Sequence, residues 1–312
     1  MNKLLLASFL LVPILLSTTP DAYAVVGSFF LTGHDPDFHA TQGNNAPGAQ
    51  NIINSAVTFT TDPNFNTFKA GGVDKFLFVE SNIQVPGGHT IGKNGIVAAG
   101  FVEGVDFEHH DASTLDAELN MLGTKYNMIF VASDFGGILT QAELDILIAR
   151  SGDIISFLNS GGGLVALAES NNGAGLTPDG GQFGFLPFVV SSTAFDQTEV
   201  GNTVTPFGAS LGLTNADVNG NASHNIFVDT FGLEIVDEDD ENPPNILSLA
   251  GRGVVDDGGV KPEPPVVVGG EFLPIETTSL LLTSAQTFSW MIPVVLSVVG
   301  IGLFVVSRKS EN

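Results

Sequence analysis

The feature that most constrains this chain is Tyr126 to Asn172, YNMIFVASDFGGILTQAELDILIARSGDIISFLNSGGGLVALAESNN. Met128 to Ala132 is an uninterrupted apolar run, which reads as a strand buried on both faces. Thr140 and Glu143 stand at capping-box spacing, where each side chain satisfies an orphan N–H at a helix start. Leu144, Leu147, Ile148, Ser151, Ile155 and Leu158 then follow the i, i+3, i+4 rhythm of one face of a single long helix. Gly161-Gly162-Gly163 stops it, and Leu164 to Ala168 is a second apolar strand. A strand, a helix and a strand in this order make one βαβ unit, which needs a parallel sheet with its faces covered.

The flanking chain repeats the theme. Val25 to Leu31 and Lys75 to Val79 are further apolar strands, and Ala46 to Phe59 between them has a partial apolar helical face. Val102 to Phe107 is expected as a third strand ending near Glu108-His109-His110. Ser113-Thr114-Leu115-Asp116 starts a helix that runs to about Leu122. Beyond the central unit, Phe188 to Val190 and Phe231 to Val236 are strand candidates. Asp237 to Pro244 (DEDDENPP) reads as a solvated acidic turn, and Val254 to Pro265 as a Gly/Pro-rich stalk. The expected fold class is α/β, a mostly parallel sheet with helices on both faces, of flavodoxin-like type, over residues 25–251.

Composition narrows function by exclusion. Ten Lys and Arg stand against 34 Asp and Glu, so nucleic acid is not expected as a partner, because phosphate binding needs a basic surface. The chain has no cysteine, which removes disulfides, thiolate metal ligands, an N-terminal lipidated Cys and any Cys nucleophile.

Both ends point to a membrane. Residues 1–24 combine Lys3, an apolar run from Leu4 to Leu16 and an Ala22-Tyr23-Ala24 cleavage pattern, which together describe a secretory signal peptide. Phe288 to Ser307 is uncharged and long enough to cross a hydrocarbon core of about 30 Å as one transmembrane helix. Arg308-Lys309 in the basic end, 308–312, place that end in the cytoplasm and the main domain outside. Residues 252–287 are then an acidic stalk. The tail resembles those of archaeal cell-surface proteins, especially of ammonia-oxidising Thaumarchaeota. Gly269-Gly270-Glu271-Phe272-Leu273-Pro274, Ala285-Gln286 and Trp290-Met291-Ile292-Pro293 carry that likeness. It implies surface display by a C-terminal sorting or anchor segment.

In open α/β sheets ligands bind beyond the carboxyl ends of the strands. The polar residues expected at that edge are His34, Asp35 and His39; Glu80; Glu108, His109 and His110; Asp134; and Glu169 and Ser170. The segments LTGHDPDFH, VASDFGGILTQAEL and GGGLVALAES resemble the class I glutamine amidotransferase-like fold and its ThuA-like relatives. The resemblance implies ligand or oxyanion contacts at Asp134, Gly136 and Gly137. It puts Glu169-Ser170, followed by Asn171, where a nucleophile elbow stands, and the family's Cys is missing there. Three readings follow. Ligand or partner binding at the envelope, by a small molecule or an envelope component, would use Asp134, Gly136, Gly137, Glu80 and Asn171, without catalysis. A hydrolase would use Ser170 as nucleophile with His224 as base and Glu169 beside them. A divalent metal ion would be held by His34, Asp35 and His39. The alternating oxygens of Asp217 to Asn221 suggest a calcium loop but fail the EF-hand pattern, so a polar turn is expected. Asn221-Ala222-Ser223 is a glycosylation acceptor pattern.

Overall fold

The structure, a computed structural model, describes residues 25–81, 83, 90–134, 138–168, 183–186, 192–198, 200–220 and 222–261, without the side chains of 192–198 and 222. All of them belong to the first of two compact units, Met1–Val266 and Val267–Asn312. The first half of the fold is β1 (Gly27–Thr32), α1 (Pro36–His39), α2 (Ala46–Thr60), α3 (Thr67–Ala70), β2 (Lys75–Val79), α4 (Ile91–Ala98), β3 (Phe107–His110) and α5 (Leu115–Glu118). There follow β4 (Tyr126–Val131), α6 (Gln141–Ala149), α7 (Ser151–Leu158), β5 (Gly163–Ala166), β6 (Ser192–Thr198) and β7 (Thr203–Val204). The last elements are α8 (Pro206–Ser210), β8 (Ala222–Phe227), β9 (Glu234–Glu238), β10 (Ile246–Asp256) and β11 (Gly259–Lys261).

Among the described residues these strands form one eleven-stranded sheet with the main path β3-β2-β4-β5-β1-β10-β8-β6. The run β3-β2-β4-β5-β1 is parallel throughout. From β10 onwards the pairing is antiparallel, and β9 and β11 join the sheet through β10. The architecture is thus α/β with a mixed sheet whose parallel part carries the helices.

Side-chain alternation along these strands divides the core into two layers. Phe30, Phe76, Phe78, Phe130 and Val165 face α2 and α4, meeting Ile52, Ile53 and Ile96. Phe29, Leu77, Ile129 and Leu164 face α6 and α7, meeting Leu144, Leu147, Ile154 and Phe157. Both faces of β1, β2, β4 and β5 are covered, which is why those strands are almost wholly apolar.

Four expectations change. The third strand is Phe107–His110 rather than Val102–Phe107: Val102 and Val105 are exposed, and the Asp106 carboxylate ties the Val102 N–H into a turn at 2.8 Å. The single long helix is two, because Arg150 leaves helical geometry at φ −101° and ψ 13°. Its guanidinium is held by Asp153, Asp116 and Asn120, each at 2.7 Å. The break re-phases the face, so Ile154 and Phe157 enter the core where Ser151 and Ile155 were expected. The Asp237 to Pro244 segment is not simply solvated: Asp237 lies in β9, fully buried, and buried Asp239 accepts from the Glu241 and Asn245 backbones. Finally, the domain runs past Gly251. β10 continues to Asp256 and turns into β11, and Val255 and Val260 belong to the core.

The capping box forms as expected: the Thr140 N–H donates to the Glu143 carboxylate at 3.0 Å, and Glu143 also accepts the Ala112 N–H at 2.9 Å. Among the described residues no helix is long and apolar enough to cross a membrane. Residues 1–24, the strand candidate Phe188 to Val190, and the tail with Phe288 to Ser307 lie outside the described residues.

Candidate functional site

The carboxyl ends of β1, β2, β3 and β4 bring buried acids and imidazoles together at one edge of the sheet. β1 finishes at Gly33, whose carbonyl accepts the His224 N–H of β8 at 2.7 Å. Asp35 is the residue before α1, and its own carbonyl accepts the Phe38 and His39 N–H groups at 3.1 and 3.2 Å. That single turn stacks His39 over Asp35, with His39 Nε2 3.1 Å from Asp35 Oδ1. From the other side His224 Nε2 comes to 3.3 Å of Asp35 Oδ2. Asp35 is fully buried between the two rings.

Two residues further on, Asp37 turns towards the end of β4. It accepts the Ser133 N–H at 3.0 Å, the Ser133 hydroxyl at 2.8 Å and the Phe38 N–H at 3.1 Å. Glu80 follows β2 and receives the first N–H groups of α4, Gly92 at 2.8 Å and Lys93 at 3.0 Å. His109 of β3 comes within 3.3 Å of its carboxylate. Asp134 follows β4 and is tied by its backbone N–H to the Ala168 carbonyl at 2.9 Å. The residue is 5% exposed, and among the described residues neither carboxylate oxygen has a hydrogen-bond partner.

Burial dominates the electrostatics. It pushes the Asp134 carboxyl up to about 8, with the charges of Asp37 and Asp35 adding to the effect. Burial, then Asp37, raises Glu80 to about 8 despite its backbone donors. Burial, then Asp35, raises Asp37 to about 6. Burial lowers His109 to about 4, keeping that ring neutral. Asp35 goes the other way: burial pushes it up, but the His224 and His39 imidazoles outweigh burial and hold it below the usual carboxylate range. The sheet edge therefore offers an ionised carboxylate, Asp35, between two imidazoles, beside two acids, Glu80 and Asp134, that burial raises to about 8. A group of this kind can give or take a proton at neutral pH.

Of the expected site residues, Asp35, His39, Glu80, His109, Asp134 and His224 do meet at this edge. His34 does not join Asp35 and His39, because its Nε2 is 2.8 Å from Asp237 Oδ2, both side chains being buried. The metal set His34, Asp35 and His39 is corrected accordingly: successive residues at the strand end point to opposite sides. Glu108 and His110 lie within β3 on the face opposite His109. There Glu108 meets Lys75 at 2.8 Å and Lys125 at 2.6 Å, and Glu118 meets Lys125 at 2.9 Å and the Tyr126 hydroxyl at 2.6 Å.

Glu108, His110 and Glu118 are the one set of three possible ligand residues among those described with donor atoms within 4.8 Å of each other. Two ammonium groups already occupy it. Burial pushes Glu108 up, but Lys125 and Lys75 outweigh it and bring the group to about 2. The calcium-like stretch is a polar turn, as expected: Asp217 accepts the Thr214 N–H, and Asn219 holds the Gly201 and Asn202 backbones. Ser223 of the glycosylation pattern is fully buried. Gly136, Gly137, Glu169, Ser170, Asn171 and Asn221 lie outside the described residues.

Asp37, Ser133 and Asp237 were not singled out from sequence. Asp37 had a usable signal, since Pro36 at a helix start fixes the next residues as a first turn at the strand end. Asp237 had none, because its partner is 203 positions away. Comparison with family-level patterns, with curated proteins and with solved structures finds no match in any of the three.

Proposed function

We propose that the chain is the precursor of a single-pass cell-surface protein of archaeal type, with an external flavodoxin-like, amidotransferase-like domain that binds a ligand without the amidotransferase chemistry. The observation that carries the binding reading is Asp134: a buried carboxyl with no hydrogen-bond partner among the described residues, at the sheet edge that also holds Asp35, His39 and Glu80. Burial without a partner costs about 1–3 kcal/mol, a cost that a bound group with N–H or O–H donors removes. The chain holds no Cys, so the thiol step of the resembled family has no nucleophile here. The surface assignment is supported by the signal-like start and by the apolar Phe288 to Ser307 segment with its basic flank.

Binding is tested by a thermal-shift screen of small molecules and envelope glycans against the purified full chain. A hit that raises the melting point of the wild type and not of Asp134→Asn is the expected result. No hit in either protein sinks the reading. Protease shaving of intact cells tests display, and a domain protected from the protease overturns it.

A second reading, an extracytoplasmic hydrolase, is favoured by the Asp35–His224 contact, which is the orienter-and-base half of a nucleophilic triad. It requires Ser170 to supply the hydroxyl. Turnover in hydrolase profiling that disappears in Ser170→Ala, with the fold intact, replaces the binding-only reading by this one.

A further inference from the structure

The chain has only ten Lys and Arg against 34 Asp and Glu, and two of the ten, Arg252 and Lys69, line one cavity of about 580 Å³. That is a size suited to a small molecule. Phe59, Phe207 and Leu211 give the cavity an apolar wall, with the two rings edge to face at 6.2 Å. Arg252 of β10 pairs in register with Ser28 near the start of β1. The cavity therefore lies at the end of the sheet opposite Asp35 and Asp134.

Arg252 is set in place from several directions. The Phe65 and Phe59 rings lie 3.7 and 4.1 Å from the centre of its guanidinium. Nε donates to the Ser28 hydroxyl at 3.3 Å, and Nη2 donates to the Phe59 carbonyl and to Asp62 Oδ2, each at 3.2 Å. These bonds use Nε and Nη2 and leave the two N–H groups of Nη1 over. Asp62 has no such reserve, because its Oδ1 already accepts the Asn64 backbone and side-chain N–H groups at 3.0 and 2.9 Å. Burial pulls Arg252 below its ordinary value, and Asp62 offsets only part of that. A second anion therefore gains where a second cation does not. Lys69 adds a positive charge whose present partner, Asp74, is 70% exposed and so holds it weakly.

We propose that this cavity binds a small organic carboxylate, with its acidic group on Arg252 Nη1 and its apolar body against Phe59, Phe207 and Leu211. A guanidinium fixed by stacking loses little freedom when a carboxylate meets it, and hydrogen bonds between two charged groups are the stronger kind. The site is separate from the sheet edge that holds Asp134 and does not depend on the reading of that edge.

The probe is phenylacetate titrated against the full chain and followed by saturation-transfer nuclear magnetic resonance, with phenylacetamide as its neutral counterpart. Wild type is expected to bind the acid at least tenfold more tightly than the amide. Arg252→Gln is expected to abolish that preference. Ser210 is exposed and lines the cavity, so Ser210→Trp is expected to fill it and weaken phenylacetate at least tenfold with the melting temperature unchanged. Asp134→Asn is expected to bind phenylacetate as wild type does. No saturation transfer to phenylacetate overturns the proposal, as do equal affinities for acid and amide or full binding by a folded Ser210→Trp. Loss of binding in Asp134→Asn alone moves the ligand to the other end of the sheet and also overturns it. If Arg252→Gln does not fold, the acid-to-amide ratio in wild type and the Ser210→Trp result decide.

Discussion

Glu80 is held by two opposing influences. The amino end of α4 donates two N–H groups to it, which favours a carboxylate. Complete burial beside Asp37 and the neutral His109 favours the acid, and burial wins, with the group raised from 4.5 to about 8 against the pull of Lys93. A folded-state value above the unfolded one means that Glu80 contributes its full stability below about 4.5 and loses it as pH rises through about 8. Glu80→Gln keeps an acceptor for one N–H group and cannot ionise. It is therefore expected to cost about 1 kcal/mol at pH 5, where one hydrogen bond is lost, and to be less destabilising, or stabilising, at pH 9. Urea unfolding at the two pH values checks this, and parallel losses at both would show that Glu80 is not held protonated by the fold.

Elements place these groups through close backbone approaches. A Cβ on Gly33 would lie 1.9 Å from the Asn225 carbonyl oxygen, so only glycine lets the end of β1 lie against β8 with Asp35 beside His224. Gly33→Ala is expected to cost about 3 kcal/mol or more, because the contact is with backbone that cannot step aside. Gly152, inside α7, has nothing within 4 Å of its would-be Cβ. Gly152→Ala is expected to add about 0.5–1 kcal/mol from helix propensity alone. Chemical denaturation of both variants separates the steric role from the conformational one, and equal effects would refute the assignment.

The same comparison explains what was legible from sequence. β1, β2 and β4 were readable because a strand covered on both faces must be apolar throughout. β3 was not, because three of its four residues are polar: His109 sits beside Phe78 and Glu80, and Glu108 and His110 sit in a lysine-lined network on the other face. The helix break at Arg150 escaped because its cause lies partly outside the helical stretch, in Asp116 of α5 and in Asn120 just after it. At the site, residues on the first turn after a strand could be located, while the His34–Asp237 pairing depends on a chain reversal that no local pattern announces.

At the scale of the whole molecule, the parallel half of the sheet supplies most of the site residues and β8 of the antiparallel half adds His224 against Asp35. β10 is the hinge between them, since it pairs with β1 on one side and with β9 and β8 on the other. Val254 to Pro265 looked like a stalk because it is rich in Gly and Pro, yet Asp257-Gly258 between two Val-bearing segments is also a hairpin signal. The hairpin is part of the core. Val255 and Val260 are buried, the Asn159 side chain holds the Val255 N–H and carbonyl at 2.8 and 3.0 Å, and the Val260 N–H reaches the Phe231 carbonyl at 2.9 Å. Arg252 stacks on Phe65 at 3.7 Å and Phe59 at 4.1 Å while contacting Asp62 at 3.2 Å. Ending the domain at Gly251 would strip all of this away. Two buried Val side chains at about 1.5–3 kcal/mol each, with the hydrogen bonds to Asn159 and Phe231, amount to on the order of 5 kcal/mol. That is comparable with the whole stability of a domain. The fragment 25–261 is therefore expected to unfold cooperatively on heating, with protease-resistant β10, whereas 25–251 is expected to be unfolded or to lack a cooperative transition. Circular dichroism melts with limited proteolysis compare the two, and a 25–251 fragment as stable as 25–261 would return the hairpin to the stalk.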